Sequence, residues 1–144
     1  MSKYIPFESV IVGEALGPLE YVIDKEAIEG YCNDWKDHNP IYLGDSPFGG
    51  PVVPPAFRAG LDSFRLLATK FDSHATVGVK TEHEFINPAK VGKRLITTGK
   101  IADKYIKRGI ECVVIEYLTV DEDGVKIRRS VDHIALSVER VAEP

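Results

Sequence analysis

The sequence is poor in the residues that would mark a special chemistry by composition alone. It holds two cysteines, Cys32 and Cys112, 80 positions apart. There is no CxxC pair and no Cys/His cluster at metal-ligand spacing, which excludes a zinc module and a disulfide scaffold; two reduced, buried thiols are expected. No stretch of ~18 apolar residues occurs, which excludes a membrane-spanning helix. The first residues, Met1-Ser2-Lys3-Tyr4-Ile5-Pro6-Phe7-Glu8, lack the apolar core of a signal peptide, and a cytoplasmic location is the expectation. Neither sign of charge dominates: 18 Lys and Arg against 22 Asp and Glu give −4, so nucleic acid has no electrostatic hold on the chain. The one dense basic cluster, Lys126-Ile127-Arg128-Arg129, reads as the solvated face of a strand.

What is present suits one globular domain over residues 1–144. Hydrophobic residues make up 44% and charged residues 28% of the chain, enough apolar matter for a core and enough charge for a surface. Residues 1–18 read as an irregular lead-in broken by Gly13, Gly17 and Pro18, and Leu19–Ile23 alternates as a short strand. Asp24 stands where an N-cap belongs. Ile28, Tyr31, Cys32 and Trp35 then share one face of a helix over 25–35. Lys36 to Pro55 carries five prolines and three glycines and reads as a long loop, a length that often accompanies function.

Residues 56–71 read as the longest helix. Phe57, Leu61, Phe64, Ala68 and Phe71 form its apolar stripe and Leu67 widens it, so this face is expected in the core. From Ala75 the period changes to two: Val77, Val79, Thr81, His83 and Phe85 alternate with polar residues. Further strands are expected over 94–105, 110–120 and 125–138. They are separated by turns at Lys107-Arg108-Gly109 and Asp121-Glu122-Asp123-Gly124. On the last strand, Ser130, Asp132, Ile134, Leu136 and Val138 share a face. Four long strands in antiparallel succession after one apolar helix give an α+β layout, an antiparallel β-sheet wrapped around one long central helix.

The segment richest in chemistry is Asp37-His38-Asn39-Pro40-Ile41-Tyr42, followed by Gly50-Pro51-Val52-Val53-Pro54-Pro55-Ala56-Phe57. It resembles the MaoC-like hydratases and dehydratases of the hotdog fold, which include the (R)-specific enoyl-CoA hydratases. Their Asp-x-Asn-Pro-Leu/Ile-His motif precedes a Pro-Ile/Val-Val/Ala-His-Gly segment that opens the central helix. The resemblance covers nearly the whole chain. It implies hydration of trans-2-enoyl thioesters, or dehydration of (3R)-hydroxyacyl thioesters, of coenzyme A or acyl carrier protein, as in fatty acid metabolism. A carboxylate and an imidazole serve there as acid and base, and a backbone N–H at the helix start stabilises the enolate oxygen. No metal and no bound cofactor is implied. A dimer is, formed with a second copy or with another hotdog subunit, with the site between subunits and the edge strands paired.

The carry-over is uneven. Asp37 matches the catalytic aspartate, and Asn39 and Pro40 match the loop-shaping pair. Tyr42 stands where the family has histidine. Pro55 falls on the family's glycine and has no N–H to give, which leaves Ala56 and Phe57 as donors from the first helical turn. Tyr42 and this proline-rich helix start resemble the N-terminal dehydratase-like half of the family, which commonly shapes the acyl channel while its partner half supplies Asp and His.

Each site residue carries a second reading. Asp37 is a general base or a loop residue closing an Asx-turn. Tyr42 is a proton donor or a packed ring with a wetted phenol. His38 replaces the missing imidazole or faces solvent. His74, His83 and His133 read as surface or satisfied histidines. Arg58, Arg65, Lys104, Lys107 and Arg108 either flank apolar faces or meet a carrier phosphate. Two functions follow: a self-sufficient hydro-lyase using Asp37 with Tyr42 or His38, or a catalytically silent subunit that binds the acyl tail. A thioesterase would need an acid on the central helix. Asp62 is there, and it reads as a solvated helix residue.

Overall fold

Asp24 starts the first helix as its position predicts: its carboxylate accepts the Ala27 N–H at 2.8 Å. Around it, the computed structural model describes residues 6–57, 61–71 and 76–136. The elements in chain order are β1 (Ala15–Val22), α1 (Lys25–Trp35), α2 (Pro40–Leu43), α3 (Leu61–Lys70), β2 (Thr76–Phe85), β3 (Arg94–Lys107), β4 (Ile110–Asp121) and β5 (Lys126–Leu136). A single 3-10 turn over Phe7–Ser9 leads in.

The strands form one antiparallel sheet in the order β1-β3-β4-β5-β2. Local turn chemistry builds its middle. Arg108 and Gly109, both at left-handed φ, close the β3–β4 hairpin in two residues, so Lys107 faces Ile110. Asp121 accepts the N–H groups of Asp123 and Val125 and closes the β4–β5 turn. The succession of strands is not their order in space. β2 does not lie beside β3 but crosses to the far edge and pairs with β5.

The first strand also differs from expectation. β1 begins at Ala15 and runs through Gly17-Pro18, where its register against β3 shifts between Leu16 and Leu19. Gly17 sits at φ +87°, and a Cβ there would lie 2.8 Å from Leu66 Cδ2 and 3.2 Å from the Thr97 carbonyl oxygen. Gly17→Ala is therefore expected to cost about 3 kcal/mol, combining left-handed strain with overpacking against α3, and a thermal melt checks it.

Helix α3 lies against the sheet. Leu66 and Leu67, with Phe71 just beyond the helix, pack with Leu16, Ile101, Val113, Ile115, Tyr117, Ile134 and Leu136. The buried face is not the stripe that sequence periodicity selects. Asp62, Ser63, Leu66 and Leu67 are buried, whereas Phe64 is 50% exposed and Ala68 is exposed. The stripe is rotated because Asp62 is drawn inward by a partner on β5 (below). The helix start differs as well. Pro55–Phe57 form a turn, with the Phe57 N–H donating to the Pro54 carbonyl at 2.9 Å, and residues 58–60 lie outside the described residues.

A second cluster fills the opposite end of the sheet. Ile23, Ile28, Cys32, Val53, Ala89, Leu95 and Ile127 are its buried members, and Tyr31, Tyr42 and Phe57 pack against it. Cys32 and Cys112 are buried and unbonded, as expected. β2 has the opposite character: its residues are exposed on both faces apart from half-buried Thr76, and Val77, Val79 and Phe85 are all more than half exposed. Among the described residues nothing covers its outer edge, and none of the helices is long and apolar enough to cross a membrane.

Candidate functional site

The motif segment is organised by its own side chains. α1 ends where Lys36 takes a left-handed conformation, and the Asp37 N–H donates back to the Cys32 carbonyl at 3.0 Å. The Asp37 carboxylate then accepts the Asn39 N–H at 3.3 Å, closing an Asx-turn. Asn39 caps α2, its side-chain oxygen accepting the Ile41 N–H at 3.3 Å, and Pro40 takes the first helical position. So a stretch expected to be irregular contains one short helix. Asp37, His38, Asn39 and Pro40 are exposed; Tyr42 is half-buried among Ile23, Cys32 and their neighbours. Burial pushes the Tyr42 phenol up, and the Asp37 carboxylate adds to the effect. The same two causes raise the Cys32 thiol.

Beyond α2 the chain is pinned to the sheet. The Val52 N–H donates to the Ile41 carbonyl and the Val53 N–H to the Ala89 carbonyl, at 2.9 and 2.8 Å. This holds Pro55 over a cavity of about 250 Å³, between the helix entrance and the β2–β3 loop. Exposed Pro55, Phe85, Ile86 and Asn87 form its mouth; Ile23, Val53, Ala89, Leu95 and Ile127 form apolar walls. Asp37, His38 and Tyr42 line none of it, and of the helix-start residues expected in the site only Pro55 does.

The interior end of the cavity is polar. Asp62 is 1% exposed and Arg128 6%. Arg128 Nη2 donates to Asp62 Oδ1 at 2.5 Å, and the Ser63 N–H donates to the same oxygen at 3.0 Å. Oδ2 accepts from the Tyr21 hydroxyl at 2.8 Å, from Thr97 at 3.2 Å and from Thr119 at 3.4 Å. The two threonine hydroxyls lie 2.7 Å apart. Burial alone would raise the Asp62 carboxyl, but the Arg128 guanidinium and the hydrogen bonds from Tyr21, Arg128 and Ser63 outweigh it and hold it below the usual carboxylate range. Tyr21 is pushed up to about 12, by burial first and then by the Asp62 charge.

Two sequence expectations are overturned here. Asp62 is not a solvated helix residue, and Arg128 does not belong to a solvated basic face; only its neighbours Lys126 and Arg129 are exposed. With both carboxylate oxygens engaged, Asp62 is poorly placed to activate a nucleophile, which weakens the thioesterase reading. Tyr21, Thr97 and Thr119 went unnoticed because a polar residue in an alternating strand reads as solvent-facing. The signal available was an acid on an otherwise apolar helix, together with an arginine between alternating strand residues.

The other candidates are accounted for. His83 Nδ1 lies 2.8 Å from the Ser130 hydroxyl and His133 Nδ1 3.0 Å from the Tyr105 hydroxyl, so both are satisfied. His74 and Arg58 lie outside the described residues. Lys104 donates to the Phe7 carbonyl at 3.2 Å and sits over that ring; Arg65, Lys107 and Arg108 are exposed. Among the described residues no group of three His, Cys, Asp or Glu side chains is placed to hold a metal ion.

The chain and its fold have relatives. The family model for the FAS1-like dehydratase domain region matches residues 10–130. No curated protein sequence matches the chain. Among solved structures, the MaoC-like dehydratase from Rhodospirillum rubrum superposes with a TM-score of 0.76 at 20% identity, over 93% of this chain and 97% of that one. The R-hydratase PhaJ1 from Pseudomonas aeruginosa gives 0.76 at 19%, over 97% and 94%. The HadBC (3R-hydroxyacyl-ACP dehydratase) complex from Mycobacterium tuberculosis gives 0.68 at 18%, over 88% and 97%. At these identities the structures show a shared α+β hotdog fold, and the family model adds descent: the chain belongs to the MaoC-like hotdog family of hydratases and dehydratases, in its FAS1-like dehydratase region.

Proposed function

We propose that this chain is the acyl-binding half of a MaoC-like hydratase or dehydratase. It holds the tail of a trans-2-enoyl or (3R)-hydroxyacyl thioester of coenzyme A or acyl carrier protein. A second hotdog subunit with an intact Asp-x-Asn-Pro-x-His motif supplies the acid and base, and pairs with the open edge of β2. The observation that carries this reading is the separation of pocket from motif. The cavity is apolar-walled and lined by none of Asp37, His38 or Tyr42, while the Asp37 carboxylate closes its own loop. The HadBC (3R-hydroxyacyl-ACP dehydratase) complex is a precedent for such an assembly.

The self-sufficient hydro-lyase has one observation in its favour. The Asp37 charge raises the Tyr42 phenol, so the two groups lie within each other's field. The deciding experiment follows loss of enoyl-thioester absorbance, from crotonyl-CoA upward in chain length, for the chain alone, for its Asp37→Asn variant and for each with the partner subunit. Turnover that requires the partner and survives Asp37→Asn is expected. Turnover by the chain alone that vanishes in Asp37→Asn would overturn the proposal.

A binding series checks the cavity itself. Each methylene buried contributes ~0.8 kcal/mol, so affinity for saturated acyl-pantetheines is expected to rise about fourfold per carbon. The gain stops at the length where the chain end meets Asp62 and Arg128. Calorimetric titration of the chain with C4 to C12 thioesters reads both slope and stopping point.

A further inference from the structure

The interior end of the cavity is built for more than an alkyl terminus. Four side chains there carry polar atoms: Tyr21, Asp62, Thr119 and Arg128 all line the cavity beyond its apolar walls. A fold that needed only to fill this space would be as stable with apolar side chains of similar volume, because a buried ion pair rarely outperforms them. The network is internally paired, yet its chemistry leaves capacity. A hydroxyl has one donor and two acceptor lone pairs, and Thr119 lies between Thr97 at 2.7 Å and Asp62 at 3.4 Å. One lone pair of Thr119 therefore stays available to a ligand group entering from the cavity.

Resting on the acyl-binding reading, we infer that the preferred acyl chain carries a neutral hydrogen-bonding oxygen, a hydroxyl, at the end remote from the thioester. Such a hydroxyl donates to the Thr119 oxygen, the acceptor this network leaves open. A methyl terminus at the same depth gives that lone pair no donor, the situation in which a polar site discriminates against an apolar group. A terminal carboxylate has no proton to give Thr119 and brings a second negative charge beside the Asp62 carboxylate, so the neutral hydroxyl fits better.

The test uses two acyl-pantetheines of equal length, one ending in methyl and one in hydroxymethyl, at the length where the saturated series stops gaining affinity. Titration into the full chain is expected to show at least tenfold tighter binding of the hydroxylated probe. Thr119→Val is expected to bring the ratio below about threefold. Thr119→Ala, which removes the same hydroxyl, serves as the second variant where Thr119→Val loses the native circular dichroism. Equal or tighter binding of the methyl-ended probe would overturn the inference and leave the acyl-binding reading standing. A preference that persists in both variants would overturn the assignment to this network. Binding of neither probe to a folded chain would remove the acyl-binding reading, and the inference with it.

Discussion

Asp62→Asn is expected to lower unfolding free energy by about 3–5 kcal/mol, because it leaves the Arg128 guanidinium buried without its counter-charge. The pair joins α3 to β5 across 66 positions of sequence, and Tyr21, Thr97 and Thr119 tie it to β1, β3 and β4. Urea titration at neutral pH reads the loss as a lower midpoint at unchanged slope. Asp62→Leu combined with Arg128→Met is expected to recover most of it, since neither charge is then orphaned. The pH dependence has a defined sign. The folded-state pKa of Asp62 lies below its unfolded value of ~3.9, so its contribution is fully present above that value. It is lost as pH falls below ~4 through the folded pKa. The Asn variant should lack this part of the acid limb, and an acid limb as steep as the parent's would refute the argument.

Turnover is the second large effect. A positioned general acid or base is worth typically 10²–10⁴-fold, so this chain alone, with Tyr42 and Pro55 at the positions matched to the family's histidine and glycine, is expected to turn over far more slowly than an intact relative. In the proposed complex with a second hotdog subunit, Asp37→Asn is expected to change turnover less than about twofold, because that carboxylate holds the Asn39 N–H and lies outside the cavity. The same change at the partner's motif aspartate is expected to cost at least ~10²-fold. A loss of that size from Asp37→Asn would instead make Asp37 a catalytic residue and Tyr42 its proton donor. Following the Asn variant by circular dichroism separates this from damage to the loop.

Much of the architecture is legible where neighbours in sequence settle it. The Asp24 cap, the Ile28–Cys32 part of the α1 face, the Arg108-Gly109 hairpin and the Asp121–Gly124 turn each depend on a few adjacent residues, whereas Trp35, expected on the same α1 face, is exposed. The Asn39-Pro40 start of α2 has the same local origin, although the long proline-rich stretch hid it. Gly17-Pro18 misled in the opposite direction. Two breakers read as the end of irregular chain, but β3 accommodates them as a register shift within β1.

By itself, the sequence determined the class of fold, the hairpins, the presence of a helix before the strands and the family, because period, turn chemistry and motif spacing are properties of short windows. Tertiary structure decided three things. It placed β2 beside β5 rather than β3, leaving its hydrophobic edge open. It turned α3 so that Asp62 faces inward and Phe64 outward. It put the polar network, and not the motif residues, at the interior end of the cavity. The physical reason is common to all three. Each depends on pairing across dozens of residues, and the cost of burying a charge is offset only by a partner that local sequence does not reveal.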